Sequence, residues 1–142
     1  MVRELKKERS VILFISDIRK KFFKTIVIFT MITIFTFIFN KIYGIFGHGV
    51  TSPYMTYMFL YPLLGGVLFY GIIMLLIPSI VNKKRYRFFY NIYNSGLAIL
   101  TVGSLLRGVM EIAGTFSSYL MFYTLVGWIS IIISIGVLII DQ

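Results

Sequence analysis

The sequence predicts an all-α integral membrane protein: a four-transmembrane-helix bundle preceded by a basic amphipathic N-terminal helix in the membrane interface. Three observations predict it. Hydrophobic residues make up 58% of the 142-residue chain and charged residues only 13%, against about 25% charged in a typical soluble domain. The apolar residues fall in four blocks, each near the length of about 20 residues that crosses a bilayer core. The Lys and Arg residues gather at the ends of those blocks. The chain is read as a single membrane domain, because a soluble domain this small could not bury so much apolar surface.

The elements follow in order. Residues 1–21 form a basic segment carrying Arg3, Lys6, Lys7, Arg9, Arg19, Lys20 and Lys21 around the apolar run Val11-Ile12-Leu13-Phe14-Ile15. That run is too short to span a bilayer. It suits a helix lying in the cytoplasmic interface with its cations on lipid phosphates. Span one covers 22–42. Its apolar stretch is longer than a signal-peptide core and no small-residue cleavage site follows, so it reads as a retained helix. Gly44, Gly47 and Gly49 then mark a loop. Ser52-Pro53 opens span two, with Ser as the cap and Pro at the first helical position. Span two covers 54–81, longer than a bilayer requires, and Pro62 predicts a kink within it. Residues 82–87 form a short basic loop. Span three covers 88–112, Gly114 supplies a helix stop, and span four covers 118–140.

Charge sets the expected topology. Of the 14 Lys and Arg residues, eight lie in the arm ending at Lys24 and four lie in the 82–87 loop, leaving only Lys41 and Arg107 on the other side. This asymmetry predicts a multi-pass protein of the cell membrane with both termini cytoplasmic. Tyr43, Tyr54, Tyr57, Tyr119 and Tyr123 fall near the outer boundary, where an aromatic belt is expected. The net charge of +9 would suggest nucleic acid in a soluble protein. Beside membrane spans it points to anionic lipids at the cytoplasmic face, and no nucleic-acid partner is expected. The absence of Cys excludes disulfides, thiolate metal sites and Cys nucleophiles.

Helices in lipid associate through small residues and hydrogen bonds. Each span offers a stripe of this kind: Thr33, Thr36 and Asn40 in span one; Gly65, Gly66 and Gly71 in span two; Gly96, Gly103, Ser104 and Gly108 in span three; Gly127, Ser130 and Ser134 in span four. Span three is the most polar. At 100° per residue, Asn91, Asn94, Ala98, Thr101, Ser104, Gly108, Glu111 and Thr115 are read as one face, with Arg107 at its edge. Lipid would reject such a face, so it should look into the bundle or a wet cavity. Arg107 and Glu111 are spaced to pair along the helix. Together with Lys41 and His48 they could instead line an outward-facing pocket for an anionic or zwitterionic ligand. The candidate ligand-binding set is therefore Asn91, Asn94, Thr101, Ser104, Arg107, Glu111, Lys41 and His48.

No phosphate-binding glycine loop, His-Glu-x-x-His motif or Gly-x-Ser-x-Gly elbow occurs. No carboxylate pair is available for acid–base work, and a lone His is a poor zinc ligand set. The chain is read as a non-enzyme with no metal and no cofactor. The leading expectation is a transport-related subunit (transporter, channel or substrate-binding), acting as a homo-oligomer or with a larger membrane-protein partner. The alternatives are an accessory or scaffold subunit and a lipid-binding or lipid-translocating protein, the last expecting lipid between helices near Arg107. Richness in Phe, Ile, Tyr and Lys fits an AT-rich bacterial genome.

Overall fold

No Gly or Pro occurs before Gly44, so nothing in the backbone interrupts a helix there. In the computed structural model, which describes residues 1–140, the first element is accordingly one unbroken helix, α1 (Val2–Phe46). At 1.5 Å per residue it is about 67 Å long, more than twice a bilayer core. The basic segment 1–21 is thus not a separate interfacial helix. It continues span one in the same helix. Every residue from Met1 to Ile15 is exposed, and packing begins at Ile18. From there Ile18, Phe22, Thr25, Phe29 and Thr36 form the buried stripe of α1, spaced as one helical face.

The second span, α2 (Pro53–Leu76), is irregular where Pro62 predicts a kink. Pro62 has no N–H to give the preceding turn, and the helix answers by widening into a π-helical stretch over Tyr61–Leu68. It ends earlier than the sequence suggests. Ile77 precedes Pro78 and leaves the helical region (φ −140°, ψ 61°), as a residue before proline is driven to do. Residues Pro78–Asn82 form only a 3₁₀ turn. The remaining spans are α3 (Tyr86–Ile112) and α4 (Leu120–Ile140). Between them Gly114 sits at φ +71°, the left-handed helix stop the sequence implies.

The protein is therefore a multi-pass membrane protein with four helices long and apolar enough to cross a bilayer, and the described residues contain no strand. Large apolar side chains such as Ile32, Phe35, Leu75 and Ile132 point outward, which is stable only against lipid. α2 lies between α1 and α3 at consecutive glycines. A Cβ on Gly66 would collide with the Phe29 ring, and one on Gly65 with Leu97. α3 and α4 meet backbone to backbone, since a Cβ on Gly96 would stand 2.9 Å from the Gly127 carbonyl oxygen. Ser130 and Ser134 donate to carbonyls of their own helix (Val126 O, 2.8 Å; Ile131 O, 2.7 Å). The stripe on α4 thus works by small size rather than by bonds across the interface. Gly71 has nothing within 4 Å and takes no part in these contacts.

An aromatic hub fills the bundle toward the end that carries the 82–87 loop, here called the basic end. Tyr70 is fully buried. Its ring stacks on Phe29 at 5.9 Å and meets Tyr93 edge-on at 5.9 Å. Phe69 and Phe89 stack on Tyr93 at 4.5 and 5.5 Å. Such rings supply large contact area and preferred geometries at once.

Candidate functional site

The buried face of α3 consists of Phe89, Tyr93, Gly96, Leu97, Leu100, Gly103, Ser104 and Gly108. It is an aromatic and glycine face, and the expected polar stripe only grazes it. At 100° per residue, positions 91 and 111 lie about 200° apart, so a stripe joining them winds around the helix. Asn91 and Ala98 are exposed. The Thr101 hydroxyl donates to Leu97 O of its own helix at 2.8 Å. Asn94 is turned toward the hub, where its side-chain oxygen accepts from the Tyr70 hydroxyl at 2.8 Å.

Ser104, Arg107 and Glu111 do come together, around the first turn of α2 at the end opposite the basic one. Ser104 donates to the Tyr54 carbonyl at 2.7 Å. The Arg107 guanidinium lies 3.9 Å from the centroid of the Tyr54 ring, a cation–π contact. Glu111 accepts a hydrogen bond from the Ser52 hydroxyl. The Ser52 side chain therefore does not cap its own helix, contrary to the sequence reading. Glu111 instead brings a negative charge to the helix start, where the backbone dipole favours one. Among the described residues Arg107 and Glu111 form no ion pair with each other; Tyr54 of α2 and Ser52, which precedes α2, engage them separately.

Lys41 and His48 stand apart from this cluster. Lys41 sits 5.6 Å from the Phe37 ring centroid. His48 is an exposed loop residue at φ +51°, with Nδ1 3.0 Å from Phe46 O. The two line separate hollows on either side of Ile112, of about 440 and 350 Å³, and neither hollow includes Arg107 or Glu111. The eight candidate residues thus do not share one polar pocket.

Two features were not singled out from the sequence. The first is a set of tyrosine bonds between helices: Tyr70 to Asn94, Tyr93 to Gly65 O at 2.9 Å, and Tyr90 with Thr25 at 3.1 Å. Tyr70→Phe removes one of these bonds while keeping the ring. It is expected to cost about 1 kcal/mol in reversible unfolding by SDS titration followed by circular dichroism. Pairing it with Asn94→Leu should add less than the sum of the single changes; full additivity would show that the bond contributes nothing.

The second is a lateral groove of about 600 Å³ between α2 and α4, floored by α3. Tyr57, Leu60 and Leu64 form its α2 wall, Leu97 and Leu100 its floor, and Trp128 the opposite wall. Tyr57, Leu64 and Trp128 are all exposed, so the groove opens sideways to the lipid-facing surface. Its far end is lined by Pro53, Tyr54 and Ser104, and Arg107 is stacked on the Tyr54 ring. Nothing in the sequence separates these side chains from ordinary lipid-facing ones. The periodicity marks their face, and only the gap between α2 and α4 makes it concave.

Comparison with protein-family models, with curated proteins and with solved structures finds no significant match. The functional reading therefore rests on the chain's own geometry.

Proposed function

We propose that the protein binds a membrane lipid in the lateral groove, with the lipid chain along Leu60, Leu64, Leu97 and Leu100 and an anionic head group toward Arg107. The carrying observation is the groove itself, apolar along its length, with Tyr54 at one end and the Arg107 guanidinium stacked on that ring. A chain moving from bulk lipid into the groove gains no hydrophobic energy, since lipid tails are already apolar. Selectivity must then come from shape and from the polar end. Arg107 has no ion-pair partner among the described residues, and its planar fork suits a phosphate or carboxylate.

This reading takes up the lipid-binding alternative. The transport-related reading needed a continuous polar face on span three, and those side chains are dispersed or engaged with α2. On the proposed reading the protein is non-enzymatic, lies in the cell membrane with both termini cytoplasmic, and presents its basic end to anionic inner-leaflet lipids. The distribution of Lys and Arg supports that orientation.

The test is lipid retention after purification in a mild detergent, read by native mass spectrometry. Wild type should carry a lipid adduct. Leu64→Trp fills the groove from an exposed wall position and should lower the number of lipids carried by one. Arg107→Gln should keep the groove lipid but lower the share of anionic species bound. Equal retention in all three proteins, or a co-purifying partner helix in place of lipid, overturns the reading.

A further inference from the structure

A second hollow, of about 700 Å³, lies at the basic end between α1 and the start of α3. Three cations line it: Lys21 and Lys24 from α1 and Arg87 from α3. None of the three forms an ion pair among the described residues, while the nearby acid in the sequence, Asp17, pairs at 3.9 Å with Lys20. All three are exposed, so solvent and salt screen their mutual repulsion, though only in part at this range. An anion between them would remove the remainder. Hydroxyls also face the hollow, where Thr25 and Tyr90 are joined at 3.1 Å and Tyr86 stands beside them. Ile28 and Val81 carry the lining onward into apolar surface.

We infer that this hollow is a specific site for the phosphate of an anionic phospholipid, held by Lys21, Lys24 and Arg87 with its acyl chains leaving along Ile28 and Val81. Three cations match a phosphate oxygen set, and Arg87 can meet it with two parallel bonds. The apolar margin favours a lipid over free phosphate. The site goes beyond the general attraction of a basic segment to an anionic leaflet, because it requires two helices from distant parts of the chain. It is separate from the groove, at the opposite end of the bundle, so either site can fail without the other.

The experiment is native mass spectrometry of the full chain in detergent, titrated in parallel with phosphatidylglycerol, phosphatidylcholine of the same chains, and inorganic phosphate. All variants carry Leu64→Trp to keep the groove closed. Phosphatidylglycerol should bind in preference to both other probes. Lys21→Gln with Arg87→Gln should weaken it about tenfold. Lys6→Gln with Lys7→Gln removes the same charge from the exposed start of α1 and should leave binding unchanged. Arg87→Lys keeps the charge but not the paired bonds, and should bind more weakly than wild type and more tightly than Arg87→Gln. The proposal is overturned if the remote pair weakens binding as much as the site pair, if phosphatidylcholine binds equally, or if inorganic phosphate competes at equal concentration.

Discussion

Gly96→Leu is expected to detach α4 from the bundle. A Cβ at position 96 would stand 2.9 Å from the Gly127 carbonyl oxygen and 2.9 Å from Ile131 Cγ1. The carbonyl belongs to a helix backbone and cannot rotate away, so the two helices must move apart. Separation would also loosen the fit of Leu100 against Gly127 and of Gly103 against Tyr123, where added Cβ atoms would likewise be 2.6 Å from their neighbours. In lipid no hydrophobic force returns the helices to contact, and association depends on close packing itself. A cost of about 3 kcal/mol follows, at the upper end for overpacking. The single Trp of the chain, Trp128, lies on α4, so its fluorescence in an SDS titration reports the separation directly. Gly71→Leu makes the same chemical change where nothing lies within 4 Å and should shift the midpoint little. Equal shifts for the two substitutions would show that helix propensity, not contact, sets the effect.

The contrast between Gly96 and Gly71 also shows what the sequence could and could not say. Span number, a loop between the first two spans and one after Ile112, and the helix stop at Gly114 follow from hydropathy and backbone preference, which are local properties, although the first helix runs through Gly44 to Phe46 before its loop begins. That Gly96, Gly108 and Gly127 mark contacts was legible because small residues recur at helical spacing. Which glycine faces a neighbour was not, because a stripe of small residues looks the same whether or not a helix lies against it. The same limit governed the polar face of α3. Asn91 was grouped with Glu111 although 100° per residue already turns them to different sides, and i,i+4 spacing offered Arg107 to Glu111 where Tyr54 and Ser52 engage them instead. The separate basic helix finds no support, for a different reason. Charge composition names the solvent a segment prefers, but only a Gly or Pro would have given the chain a place to bend, and residues 1–43 contain neither.

Gly108→Leu should act on both the fold and the groove. Its Cβ would stand 2.6 Å from Met55 Cβ, 2.9 Å from Met55 N and 3.0 Å from Met55 Cα. Two of these atoms are backbone, and Met55 is buried, so relief requires the first turn of α2 to lift from α3. The same turn holds the Ser104 bond to Tyr54 O, the Arg107 contact with the Tyr54 ring and the Ser52 bond to Glu111. These would be lost together, and with them the Tyr54 end of the groove. Overpacking alone costs about 2 kcal/mol, and the lost cation–π contact about 1 kcal/mol more. Glu111→Gln, which keeps an acceptor for Ser52, should cost far less. In lipid-retention measurements Gly108→Leu should lose the anionic preference ascribed to Arg107, while phosphatidylglycerol binding at Lys21 and Arg87 persists. Loss at both ends would mean global unfolding. A stable Gly108→Leu protein with undiminished anionic preference would mean that Arg107 acts without the support of α2, and the link between this glycine and the groove would be wrong.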